Sequence, residues 1–279
     1  MIESNDFNEI YINLCKRLLK DGKSVSPRKM NTHEILDISF VLSDPHSSLL
    51  NLSSRNLSWS YAHGEFLWYL NGERKLKPIQ FYSKKMKDFS DDGLTLLGAY
   101  GPKLKANIPK IVDLLKKDKF SRRAVIELFD NYLNLTDSKD IPCTLTLHFI
   151  VRNNQLHLFV NMRSNDFYLG LPYDVFSFTL IQLLVAKKLN IEVGNYHHHV
   201  DSLHYYNYDR QHMLNISLDH VKSRKKENDP INFLNNLGFM KYCERNMRNG
   251  NLVTLPYSIK NNKYCMKVIS SWIRRQKES

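Results

Sequence analysis

Apolar positions recur at helical spacing over residues 7–19, where Ile10, Leu14 and Leu18 share a face and Asp21-Gly22 supplies a stop, so the chain opens on an amphipathic helix. Residues 35–42 read as a strand that runs into Asp44-Pro45. The segment Gly64-Glu65-Phe66-Leu67-Trp68-Tyr69-Leu70 is apolar nearly all round and closes at Asn71-Gly72, which predicts a buried helix carrying one acid, Glu65, inward. Residues 124–133 and 145–151 are apolar and strand-favouring, and Arg152-Asn153-Asn154-Gln155 separates the latter from the run 156–160 with the composition of a hairpin turn. Such a hairpin brings Cys143 and Arg163 near one another at its open end. Residues 175–189 form a long apolar helix, and 191–206 return as strand and loop. No repeat or low-complexity linker intervenes, so a single domain is expected over 1–279.

Composition narrows the class. A hydrophobic content of 42% over 279 residues is that of a soluble globular chain with a sizeable core. No run approaches the roughly 18 apolar residues of a membrane span. The start, Met1-Ile2-Glu3-Ser4-Asn5-Asp6, lacks a basic-then-apolar leader, so a cytoplasmic location and no membrane partner are expected. Cys15, Cys143, Cys243 and Cys265 are scattered without a CxxC pair, which suggests neither a disulfide framework nor a zinc cluster; any cysteine that matters should act as a thiol. The formal charge of +12 favours polyanionic partners, whether nucleotides, nucleic acid or polyglutamylated cofactors, without choosing among them. The runs Lys84-Lys85-Met86-Lys87, Lys116-Lys117-Asp118-Lys119 and Lys222-Ser223-Arg224-Lys225-Lys226 read most simply as solvated faces. In His197-His198-His199, strand alternation puts two imidazoles on one face and one on the other, with no accompanying third ligand, so no metal is expected.

Several short motifs follow in order: Gly64-Glu65-Phe66-Leu67-Trp68-Tyr69-Leu70-Asn71-Gly72, Ser121-Arg122-Arg123, Pro142-Cys143, Met162-Arg163-Ser164-Asn165-Asp166, Gly170-Leu171-Pro172-Tyr173 and Leu203-His204-Tyr205-Tyr206. Together, over residues 59–207, they resemble the thymidylate synthase and pyrimidine-nucleotide hydroxymethylase superfamily. The resemblance implies an α+β fold with a large mixed sheet flanked by helices, two such sheets packing back to back in a homodimer. It also implies a pyrimidine nucleotide monophosphate and 5,10-methylenetetrahydrofolate, a reduced folate, as substrates, with no metal; nucleic acid is not the expected partner.

Roles come with the resemblance. Cys143 is implied as the nucleophile that adds to pyrimidine C6 and so activates C5; alone, it would read as an inert buried thiol. A nearby guanidinium such as Arg163 favours the thiolate. Arg163 and Ser164, with Arg122 and Arg123 from the partner subunit, are implied as the cradle of the 5′-phosphate, since planar guanidinium forks bind phosphate bidentately. Arg28, in Ser26-Pro27-Arg28, is either a further phosphate contact or a surface residue. Glu65 is implied as a buried proton relay, against the plainer reading of a structurally satisfied acid. Tyr100 is implied as a tyrosine near the nucleophile, His204 and Tyr206 as binders of the sugar 3′-hydroxyl, and Asp166 and Trp68 as folate contacts, although Trp68 could equally be a core aromatic.

Two departures from the synthase pattern set the expected reaction. Synthases usually place a histidine after the nucleophile and an asparagine where the base is read; this chain has Thr144 and Asp174. An asparagine amide accepts from uracil N3 and donates to its carbonyl, whereas a carboxyl accepts from the cytosine amino group and completes a bidentate pair when it or N3 holds the shared proton. A mismatched buried polar group costs about 1–3 kcal/mol, enough for tenfold to more than a hundredfold selection. On sequence physics alone Asp174 would be a helix-opening acid. The expected activity is 5-hydroxymethylation of a cytidylate, CMP or dCMP, with release of tetrahydrofolate. The alternatives are a thymidylate synthase methylating dUMP and a non-catalytic RNA-binding relative.

Overall fold

A computed structural model describes residues 2–55, 57–134, 136–221 and 229–278. The basic run Lys222-Ser223-Arg224-Lys225-Lys226 lies outside the described residues. The strands are β1 (Ile2–Ser4), β2 (Lys23–Val25), β3 (Thr32–Leu42), β4 (Val125–Glu127), β5 (Thr144–Arg152), β6 (Gln155–Met162), β7 (Asn165–Asp166) and β8 (Glu192–Tyr206). The helices are α1 (Phe7–Asp21), α2 (Trp59–Leu70), α3 (Leu76–Gln80), α4 (Gly101–Lys117), α5 (Asn131–Asn134), α6 (Leu171–Leu189), α7 (Arg210–Ser217), α8 (Ile231–Asn235), α9 (Leu237–Arg248), α10 (Tyr257–Lys260) and α11 (Lys263–Glu278). Among the described residues no helix is long and apolar enough to cross a membrane.

By contacts the chain forms two compact units. The first, built from Met1–Leu57, Pro109–Phe129 and Cys143–Ser223, contains every described strand. Its mixed sheet has the order β1-β3-β8-β6-β5-β4, with β2 against β3 and β7 against β8. β6 and β8 are parallel, so the chain must cross over between them, and α6 is the crossover. That placement explains why α6 is apolar on nearly all sides: Val175 through Ala186 are buried without exception. It stops where expected, at Asn190 in the left-handed conformation (φ 55°). α1 is capped by the Asp6 carboxylate, which accepts from Asn8 N–H, and it ends at Gly22 as the sequence predicts.

The β5–β6 hairpin turns on Asn153 and Asn154, at φ 50° and 60°, the pair of left-handed residues that a two-residue type I′ turn requires. The stretch 124–133 departs from its strand-like reading. Only Val125–Glu127 is strand, because Leu128 and Phe129 both turn their N–H groups onto the Leu145 carbonyl. The Asp130 carboxylate then accepts from Tyr132 N–H (3.0 Å), an Asx turn that starts the single helical turn α5. Conversely, 192–206 is strand throughout, not strand and loop, since β6 pairs with it from Glu192 to Val200 and β3 from Tyr196 to Tyr206.

The second unit comprises Ser58–Ile108, Asp130–Pro142 and Arg224–Ser279. Its core is α2 against α11. His63 of α2 lies between the Trp59 carbonyl (2.8 Å) and the Tyr264 hydroxyl (3.0 Å), and burial lowers its pKa to about 3, so the imidazole is neutral. Trp272 donates its indole N–H to the Ser60 carbonyl (3.3 Å). Glu244, also buried, accepts from the Tyr82 hydroxyl and from Arg248 Nε, each at 2.7 Å.

Candidate active site

The open end of the β5–β6 hairpin sets the geometry. Arg163 N–H donates to the Cys143 carbonyl (2.9 Å), and the Arg163 guanidinium reaches back to Cys143 Sγ at 3.8 Å. Cys143 is partly exposed, whereas Cys15, Cys243 and Cys265 are buried. Burial pushes those three thiols up to about 12, 11 and 11, which leaves them protonated and inert at neutral pH. One thiol in the chain therefore combines access with a neighbouring cation.

Beyond Arg163 the chain makes β7, whose Asn165 and Asp166 pair with Leu203 and His204 of β8. This pairing places Ser164 Oγ 3.5 Å from His204 Nδ1. His204 meets Tyr206 edge to face, with ring centroids 5.5 Å apart. The Tyr206 hydroxyl is raised above its usual pKa, chiefly by burial and then by the Asp166 charge and Cys143, while the Arg28 guanidinium opposes the shift. Arg28, at φ 51° just before β3, is thus drawn to the same side of the sheet, since β3 pairs Thr32 with Tyr206. Cys143, Arg163, Ser164, Asp166, His204, Tyr206 and Arg28 form one neighbourhood.

Asp166 accepts on Oδ1 from the N–H groups of Tyr168 (2.8 Å) and Leu169 (2.9 Å), and so shapes the turn into α6 while orienting its own carboxylate. Burial is the largest influence on it and raises its pKa. Asp174, in the first turn of α6, accepts on Oδ2 from Asn165 Nδ2 at 2.7 Å. Burial raises its pKa to about 7, with the Asn165 hydrogen bond opposing and the Asp166 charge reinforcing the shift. A helix-opening acid in water would stay ionised; this one is poised between a carboxylate and a neutral acid at physiological pH.

Arg122 and Arg123 lie elsewhere in the same unit. The Arg122 carbonyl accepts from His148 Nε2 (3.1 Å), four residues along β5 from Thr144, or about 13 Å at the rise of a strand. Both arginines are exposed beside the edge strand β4. The three histidines are accounted for locally. His198 stacks on Phe40 (4.8 Å) and bonds the Tyr196 hydroxyl (2.8 Å), His197 stacks on Phe159 (4.2 Å), and His199 lies between Ser39 (2.9 Å) and Asp201 (3.1 Å).

Glu65, Trp68 and Tyr100 belong to the second unit. Glu65 is 8% exposed on α2 and accepts from the Tyr61 hydroxyl, one turn earlier, at 2.8 Å. Trp68 donates its indole N–H to the Lys75 carbonyl (3.1 Å). The Tyr100 ring lies 5.5 Å from that of Tyr69.

Two contributors escaped sequence reasoning. Arg55 donates through Nη2 to the Tyr168 carbonyl (3.0 Å) and lies 4.5 Å from the centre of the Tyr168 ring, pinning the loop between Asp166 and α6. Its polar surroundings in Ser53-Ser54-Arg55 give no signal of burial. Asn165 sits inside a quoted motif but reads as a turn residue until α6 is seen to approach it.

A family model described as thymidylate synthase matches residues 9–236. The deoxyuridylate hydroxymethyltransferase of Bacillus phage SP01 is 32% identical over 218 residues, covering 71% of this chain and 56% of that protein. A protein of the same description from Delftia phage PhiW-14 is 29% identical over 185 residues, 61% of this chain and 52% of that one. The thymidylate synthase of Buchnera aphidicola subsp. Baizongia pistaciae is 24% identical over 233 residues, 78% of this chain and 82% of its own. The chain thus spans about half the length of the phage relatives it matches. With a family match over most of its residues and a mixed sheet that brings together Cys143, Arg163, Ser164, Asp166, His204 and Tyr206, the chain belongs to the thymidylate synthase family.

Proposed function

We propose that this chain is a cytidylate 5-hydroxymethylase, taking CMP or dCMP with 5,10-methylenetetrahydrofolate and giving the 5-hydroxymethyl nucleotide and tetrahydrofolate. The observation that carries the choice of base is Asp174, a half-buried carboxyl that accepts from Asn165 and whose pKa is raised to about 7. As a neutral acid with its proton toward N3 it offers one donor and one acceptor side by side, the complement of cytosine N3 and its amino group.

The steps use the residues already placed. Cys143, with its sulfur beside the Arg163 guanidinium, attacks C6, and the electrons of the 5,6 double bond pass to C5. The folate supplies the one-carbon unit at the oxidation level of formaldehyde. C5 bonds to that carbon, tetrahydrofolate leaves, and the C5 proton is lost. Water adds to the exocyclic carbon as Cys143 is expelled, so no hydride leaves the folate. Arg163 and Ser164 hold the 5′-phosphate, joined by Arg28 and by Arg122 and Arg123 of a second protomer in a homodimer. His204 and Tyr206 take the sugar hydroxyl. Asp166, with one oxygen fixed by two amides, is suited to accept from a folate ring N–H. The family resemblance assigns Trp68 to the same ligand and a proton relay near C5 to Glu65 and Tyr100.

A second reading, hydroxymethylation of deoxyuridylate, rests on the names of the phage relatives. The two are separated by kcat/KM for cytidylate and uridylate in the wild type and in Asp174→Asn. Under the cytidylate reading the wild type prefers cytidylate, and the asparagine variant moves toward uridylate by about ten- to a hundredfold. A preference that does not respond to the substitution removes Asp174 from base recognition.

A further inference from the structure

A neutral carboxyl at position 174 does not by itself choose cytosine over uracil. With the proton on one oxygen it matches cytosine, which offers acceptor N3 and donor N4; with the proton on the other it matches uracil, which offers donor N3 and acceptor O4. Selection needs a group that decides which oxygen carries the proton. We propose that Asn165 is that group: by donating Nδ2–H to Asp174 Oδ2 at 2.7 Å it fixes Oδ2 as the acceptor, directs the proton to Oδ1, and so sets the base preference. The inference rests on the cytidylate reading above and adds a second specificity residue to it.

The geometry is tight on every side. Asn165 is 3% exposed and held in β7 by its pairing with Leu203, so its amide has little room to swing away. A Cβ at Gly170 would lie 3.2 Å from Asn165 Nδ2 and 3.4 Å from Asp174 Oδ2, so the glycine permits the close approach of the two side chains. With the base bound as the proposal requires, Oδ1 would meet N3 and Oδ2 would meet the N4 amino group. Uracil presented to this pair meets donor against donor at N3 and acceptor against acceptor at O4, and moving the proton to Oδ2 would weaken the Asn165 bond. The Asn165 side-chain oxygen is buried with no hydrogen-bond partner among the described residues, so the bond to Asp174 is the amide's polar anchor. Among the described residues, the other charged or titratable groups bearing on Asp174 are Asp166 of β7 and the Tyr196 hydroxyl of β8.

The test is Asn165→Leu, with Asn165→Ser as a smaller polar replacement should leucine prevent folding, each checked by circular dichroism. The readouts are kcat/KM for cytidylate and for uridylate, and the pH profile with cytidylate. The expected result is a fall in the cytidylate-to-uridylate ratio of about tenfold or more. The basic limb of the cytidylate profile should also move to higher pH, because a donor that favours the Asp174 carboxylate has been removed. Equal losses for both nucleotides with an unmoved basic limb would overturn the role of Asn165 while leaving the cytidylate reading intact. A wild type that prefers uridylate would overturn both.

Discussion

At the scale of single residues, burial decides most of the chemistry. It silences Cys15, Cys243 and Cys265, and it holds Asp174 near pH 7, where an exposed aspartate would be ionised. The raised pKa of Asp174 is also a statement about stability. The folded state resists ionising this group, so its contribution is fully present below the ordinary aspartate pKa of 3.8 and is lost as pH rises through about 7. Asp174→Asn removes that titration. Thermal melts should show the variant gaining on the wild type between about pH 4 and pH 7; a difference that stays flat across this window would mean that Asp174 is not held as a strained acid. That Cys143 would lie beside Arg163 was legible in the sequence, because the hairpin turn between them is marked by Asn153-Asn154. Asn165 and Arg55 were not. What each does depends on a segment distant in sequence that packs over it, and an asparagine in a turn or an arginine among serines carries no mark of that packing.

At the scale of elements, the hairpin of β5 and β6 is the device that brings Cys143 to Arg163, and its register is set at the opposite end by Asn153 and Asn154. Both residues occupy left-handed conformations that alanine tolerates poorly. Replacing both by alanine should cost about 1 kcal/mol or more at each position in urea denaturation, and Asn154→Gly should be neutral or stabilising. An alanine pair as stable as the wild type would show that the turn does not hold the register. The hairpin, α1, α2 and α6 were read correctly because their hydrophobic periods are long and their stops are marked by paired asparagines, Asp-Gly, Asn-Gly and the single Asn190 respectively. The stretch 124–133 was misread because apolar content does not reveal where a chain turns. There an Asx turn at Asp130 and two amides sharing the Leu145 carbonyl end the strand after three residues.

At the scale of the whole molecule, the formal charge of +12 is unevenly divided, most of it belonging to the second unit. Within that unit Lys77, Lys84, Lys87, Arg248 and Arg275 line one groove of about 500 Å³. The lysine runs were visible in the sequence; their meeting with arginines from α9 and α11 was not, since it depends on how helices far apart in the chain pack. Under the proposed function, net charge would bear on the encounter with anionic nucleotides and folates, and the reaction itself would rest on the neighbourhood of Cys143 and Asp174. The central claim is therefore tested most directly by the product. Purified protein is incubated with 5,10-methylenetetrahydrofolate and, separately, CMP, dCMP and dUMP, and both the nucleotide and the folate formed are identified by mass spectrometry. The account predicts a 5-hydroxymethylated cytidylate together with tetrahydrofolate; a methylated uridylate with release of dihydrofolate would contradict it.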